Sequence, residues 1–240
     1  MIKIISPRIH NLGDFMNCLP ALSGFYNNYG VKISLSICDR LQRFRGIKEL
    51  LMHQEMFHDV KFLCEESNIP EKYIILDDTG PIIDTSDVNP YVTQKYASFI
   101  NIQPDSNFEL KIKDIEVEDV GDKVIIGDRW SPKDAPDVDE RRYSNMIESE
   151  QIVPKENAHY LDYNKDLNYN LNLIKKNKYP LITTFTGIGI LADLMKKDLF
   201  VLWGDDVRNW NGKPVQHSFD NHYYKNRGAK LVYVKDFQWI

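Results

Sequence analysis

The apolar run Ile2–Ile5 empties into a polar stretch carrying His10, Asn11, Gly13 and Asp14. A segment with helical spacing, Ala21–Tyr29, follows and ends near Gly30, after which Val31–Ile37 alternates as a second strand. Strand, loop, helix and strand in that order form a βαβ unit, and such units build parallel sheets with helices on their faces. The alternation continues along the chain. Gly46–Phe57 reads as helix, Asp59–Leu63 and Tyr73–Asp78 as strands, and Asn89–Ile102 as another helix. The polar stretch Gln103–Asp122 carries few helix signals and reads as a boundary, which predicts domains over 1–118 and 119–240. In the second half Lys123–Gly127 reads as strand, Val138–Glu150 and Asn168–Asn177 as helices, Pro180–Phe185 as strand, Gly187–Lys197 as helix and Leu199–Gly204 as strand. The expected fold class is α/β: two parallel sheets flanked by helices, as two Rossmann-like halves with a cleft between them.

Composition narrows the classes. A hydrophobic fraction of 42% and a net charge of −5 suit a soluble globule and argue against strong nonspecific attraction to nucleic-acid backbones. A local basic cluster remains at Arg40, Arg43, Arg45 and Lys48, with the spacing of a solvated helix face. No apolar run approaches the roughly 20 residues of a membrane span, and the N-terminal tetrad gives way to Pro7 and Arg8 too soon for a signal peptide. The expected location is the cytoplasm, or the host cytoplasm for a viral chain. Cys18, Cys38 and Cys64 lack CxxC spacing, so they read as reduced, structural thiols.

Two polar strand-to-helix connections carry the candidate chemistry. One holds His10, Asn11, Gly13 and Asp14. The other follows the strand ending in Thr183 and Thr184 and contains Phe185, Thr186 and Gly187. There small residues expose the first amides of the next helix, an arrangement that favours phosphate. Both connections fall at the carboxyl edge of a parallel sheet, where open α/β folds bind ligands.

His10–Gly30, with Gly13-Asp14 followed by Leu19-Pro20-Ala21-Leu22, resembles the N-terminal signature of the family 9 glycosyltransferases, the bacterial heptosyltransferase family. Ile182–Gly204 is similar to that family's C-terminal signature, which runs approximately Asp-Thr-Gly, two residues, His-Leu-Ala, a helix and a strand closing in Phe-Gly. The resemblance implies a GT-B architecture. It also implies an inverting, metal-independent transfer from a nucleotide-diphosphate sugar to a hydroxyl acceptor, a saccharide or glycolipid, with no cofactor. Asp14 carries over as general base, with capping of the following helix as its compatible structural role. Gly13 would allow a tight turn beside the ligand, and His10 and Asn11 would contact substrate. Thr184, Thr186 and Gly187 carry over to the donor's diphosphate. Arg129 and Lys133, after the first C-terminal strand, are candidates for the same phosphates.

Two positions depart from the signature: Phe185 stands in place of its Asp and Ile190 in place of its His. The chain is also shorter than such relatives and ends without their closing helix. It therefore reads as a shortened, divergent member with another donor or acceptor. Two alternatives stay open: a glycosyltransferase acting on hydroxylated bases of viral DNA, for which the Arg40–Lys48 cluster speaks, and an inactive nucleotide-sugar-binding module, for which Phe185 and Ile190 speak. A structural or regulatory α/β protein without a small ligand is a third class. Asp77-Asp78 and Asp205-Asp206 read as turn residues rather than metal ligands, and His217 and His222 lack metal-ligand spacing. Trp203, Trp210 and Trp239 would stack on a sugar or nucleobase, or pack in the core. Arg141–Tyr143 reads as a helix surface.

Overall fold

The computed structural model describes residues 1–9, 11–68, 72–76, 102–127, 152–203, 219 and 228–238. The helix predicted over 138–150, and all but the last residue of that predicted over 89–102, lie outside these. The chain forms two units, Met1–Lys113 and Asp114–Ile240.

In the first unit, strands β1 (Ile2–Ser6), β2 (Ile33–Ile37), β3 (Phe57–Phe62) and β4 (Ile74–Ile75) make a parallel sheet in the order β3-β2-β1-β4. Helices α1 (Leu12–Met16) and α2 (Leu19–Tyr29) link β1 to β2, and α3 (Ile47–Met52) links β2 to β3. The alternation of β2 suggested one wet face, yet all five of its residues are buried. It lies between β1 and β3, and parallel sheets are covered on both faces.

The serines of β2 therefore need protein partners. The Lys3 ammonium donates to Ser34 Oγ at 3.3 Å and to the Glu66 carboxylate, which also accepts from the Ser36 hydroxyl. The Lys3 and Glu66 side chains are only 10% and 7% exposed. Burial works to raise the Glu66 pKa. The Lys3 and Ser36 hydrogen bonds overcome it and hold the carboxyl below the ordinary glutamate value.

Helix α2 starts with Pro20 in its first turn, buries Leu19, Ala21, Leu22 and Phe25, and ends on Gly30 in the left-handed region (φ 64°). Across it runs the first half of the stretch that the sequence marks as a boundary. Phe108, Leu110 and Ile112 alternate inward. The Asp105 carboxylate accepts from the Ser23 hydroxyl at 2.7 Å and Asn27 Nδ2 at 3.2 Å, and the Gln54 amide bonds both ways to the Lys111 backbone, at 2.7 and 3.0 Å. Residues 102–112 are thus a strap fixed to this unit, and Gly24 is where it passes closest. A Cβ at Gly24 would overlap the Gln103 carbonyl. Gly24→Ala is expected to cost about 1–3 kcal/mol, read as a lower denaturant midpoint; an unchanged midpoint would mean that the strap moves aside freely.

The second unit is a parallel sheet in the order β6-β5-β7-β8-β9, from β5 (Val124–Gly127), β6 (Ala158–Tyr160), β7 (Leu181–Thr183), β8 (Leu199–Trp203) and β9 (Ala229–Tyr233). Helix α4 (Leu167–Lys176) is capped by Asp166, which accepts from the Asn168 amide at 2.8 Å, and its last turn carries Lys175 and Lys176. Helix α5 (Gly187–Leu194) links β7 to β8. Val124, Ile126, Ile182 and Leu202 centre the core on one sheet face. The edge strands β6 and β9 carry no sequence prediction.

All three cysteines are free. Cys18 is buried as expected of a small apolar residue, whereas Cys64 is exposed, which corrects its reading as a packed structural thiol. No helix among the described residues is long and apolar enough to cross a membrane.

Candidate active site

Strand order singles out one crevice in each sheet. In the first unit the chain moves from β1 outward through β2 to β3 and then returns to the other side of β1 as β4. The carboxyl end of β1 is therefore a topological switch point, where open α/β sheets take ligands. Residues 7–9 and 11–16 extend from that end.

From Leu12 to Met16 this stretch is helical rather than a loop. Asn11 is the N-cap of α1, and Leu12, Phe15 and Met16 are buried at helical spacing. Gly13 and Asp14 are its second and third residues. Gly13 is buried with no positive φ, which corrects its reading as a tight-turn glycine. Asp14 is not the cap, which corrects that structural role. Its side chain is half-exposed, and Oδ2 accepts from Asn11 Nδ2 at 3.2 Å. Asn11 thus clamps one carboxylate oxygen and leaves Oδ1 outside that bond. One turn on, Asn17 is wholly enclosed, and neither its amide nitrogen nor its oxygen has a hydrogen-bond partner among the described residues. A buried amide without partners is unusual. Asn17 escaped the sequence reading because nothing distinguishes it from a polar helix terminus.

In the second unit β5 is followed by β6 on one side and β7 on the other, so the switch point lies between the ends of β5 and β7. The Thr183 hydroxyl donates to the Gly127 carbonyl across it at 2.7 Å and lies 2.9 Å from Thr186 Oγ1. A hydroxyl has one proton. With the Thr183 proton given to Gly127, the Thr186 hydroxyl donates to Thr183. Thr186 is the N-cap of α5 and makes no side-chain capping bond, so it props the turn and does not close the helix end. The Gly187 and Ile188 amides, in the first turn, have no carbonyl within the helix to bond.

Thr186, Gly187 and Phe185 are half-exposed, while Thr184 is fully enclosed. Ile190 is a core residue, 4% exposed. Gly127, absent from the sequence candidates, lets α5 approach: a Cβ there would lie 2.8 Å from Ile188 Cγ2. A glycine closing an apolar strand was its only signal.

His10, Arg129 and Lys133 lie outside the described residues, as do Asp77-Asp78, Asp205-Asp206, Arg141–Tyr143, Trp210, His217, His222 and Trp239. In the basic cluster Lys48 pairs with Glu65 at 2.8 Å and the Arg43 guanidinium covers the Phe44 ring at 4.9 Å. Among the described residues no group of three His, Cys, Asp or Glu side chains is disposed to hold a metal ion.

No protein-family model matches the sequence, and no curated protein matches it. Solved structures do match. A glycosyl transferase family 9 structure from Veillonella parvula aligns with 98% of this chain and 86% of its own, at a TM-score of 0.61 and 11% identity. The Escherichia coli heptosyltransferase WaaC with ADP aligns over 97% of this chain and 93% of its own, at 0.58 and 10% identity. The iron-containing dodecameric glycosyltransferase TibC from enterotoxigenic E. coli aligns over 95% of this chain and 62% of its own, at 0.58 and 13% identity. At these identities the likeness is one of fold.

Proposed function

We propose that this chain is a glycosyltransferase of the family 9 type, moving a sugar from a nucleotide-diphosphate donor to a hydroxyl acceptor with inversion. One observation carries the reading: each sheet has its candidate residues at its own switch point, a half-clamped carboxylate in the first unit and the half-exposed helix start Thr186-Gly187 in the second. The fold likeness to three glycosyltransferases supports it.

Asp14 Oδ1 takes the proton of the acceptor hydroxyl as its oxygen attacks the anomeric carbon. The bond from that carbon to the diphosphate breaks, and its electron pair leaves on phosphate oxygen. The Gly187 amide, in the half-exposed first turn of α5, meets the developing charge as a fixed dipole that needs no reorganisation. Thr186 keeps the turn open, with Thr183 and Gly127 behind it. Because the amide supplies the compensating charge, the transfer is proposed to proceed without a metal.

Nucleoside diphosphates and their sugars are expected to raise the melting temperature. A ligand at about 100 times its dissociation constant adds about 2.7 kcal/mol. The reading fails if no member of an ADP, UDP, GDP and CDP panel, bare or sugar-linked, shifts the melting temperature. Binding without sugar release to any acceptor would instead select the inactive binding module, for which the burial of Ile190 in the core speaks.

A further inference from the structure

At the carboxyl ends of β8 and β9, Trp203 and Tyr233 are register partners with ring centroids 4.6 Å apart and planes tilted by 51°. Both are half-exposed. Their sheet face follows from the pairing. Gly127 pairs with Thr183 and Thr183 with Val201, so these share a face. Trp203 lies two residues beyond Val201 and shares it too. It is the face that α5 covers, since the position of a Gly127 Cβ is filled by Ile188. The aromatic pair therefore stands on the same side of the sheet as the Thr186-Gly187 turn. It is one to two strands away, about 5–10 Å, and Trp203 projects about 7 Å further along the strand direction than Thr183.

We propose that Trp203 and Tyr233 form the platform on which the glycosyl ring of the donor stacks. The inference rests on the donor reading above and deepens it. The proposal sets the diphosphate at the start of α5 and the nucleoside over β5 and β6, which leaves the sugar, on the other end of the diphosphate, over β8 and β9. A pyranose presents C–H groups on its ring face, and a half-exposed indole offers them dispersion contact without demanding a hydrogen-bond partner. Lys235 Nζ lies 5.8 Å from the Tyr233 ring centroid, which supports that ring from the turn Val234–Asp236 that follows β9.

The test compares bare and sugar-linked ligands: UDP with UDP-glucose, ADP with ADP-glucose and GDP with GDP-mannose, titrated against the full chain and against Trp203→Ala and Trp203→Phe. The sugar-linked member of the best-binding pair is expected to bind more tightly than its parent diphosphate. Trp203→Ala should weaken it about three- to tenfold while leaving the parent within about twofold, and Trp203→Phe should retain most of the affinity. Equal weakening of bare and sugar-linked ligands would assign the platform to the base and overturn the proposal. So would unchanged sugar-nucleotide affinity in Trp203→Ala. Absence of any nucleotide binding to the unsubstituted chain would instead remove the donor reading itself.

Discussion

Asp14→Asn is expected to lower turnover by about 10²- to 10⁴-fold while leaving nucleoside diphosphate affinity within a few-fold. The range is that of removing a positioned general base. The substitution is nearly isosteric, and the carboxamide oxygen can still accept from Asn11 Nδ2, so the half-clamped geometry of α1 survives. What disappears is the ability to take a proton at the second oxygen. The binding readout separates the two halves of the proposal, because the donor candidates Thr186 and Gly187 belong to the other unit. Full activity in Asp14→Asn removes Asp14 from the chemistry. Loss of nucleotide binding alongside activity means that Asp14 acts on folding or on the donor and not as the base.

The second large effect concerns stability. Glu66→Gln is expected to cost about 3 kcal/mol, because it leaves the Lys3 ammonium uncompensated in a site that is nearly closed. Lys3→Met together with Glu66→Leu should recover most of the loss, since an apolar pair avoids the desolvation of two charges. The pH dependence has a definite sign. The folded Glu66 pKa lies below the ordinary glutamate value, so its contribution is complete above that ordinary value. It is lost as pH falls through the lower folded value. Urea midpoints measured from neutral to acid pH should therefore fall less steeply in the double variant than in the unsubstituted chain. A Glu66→Gln chain within about 0.5 kcal/mol of the original would show that the pair contributes little.

Much of the fold is written in local patterns that physical rules read directly. The strands β1, β2, β3, β5, β7 and β8, and the helices α2, α4 and α5, lie where apolar spacing and turn residues put them. The failures have separate causes. Strand β6 has three residues and β9 lies at the opposite edge, so neither presents a long alternating run; they are strands because a neighbour's free edge pairs with them. Helix α1 was hidden by its polar residues, although Leu12, Phe15 and Met16 already had helical spacing. The polar stretch Gln103–Asp122 holds the division between the units, but its first half did not read as packed, because Phe108, Leu110 and Ile112 are separated by charged residues. That is the pattern of an extended segment with one buried edge. At the candidate site, Asp14 and the Thr186-Gly187 turn were legible as residue types at a sheet's carboxyl edge. The Asn11 clamp, the Thr183 tie and the Gly127 notch were not, because each depends on which atoms meet across the fold.

The strap that ends near Lys113 also bears on how such a protein could be recombined. A chimaera that takes its first unit from this chain and its second from another has to be spliced after residue 113. A junction ten residues earlier would strip Asp105 from Ser23 and Asn27 and leave Gln54 Oε1 without the Lys111 amide. The first unit owns its tether, and the interchangeable piece begins only beyond it.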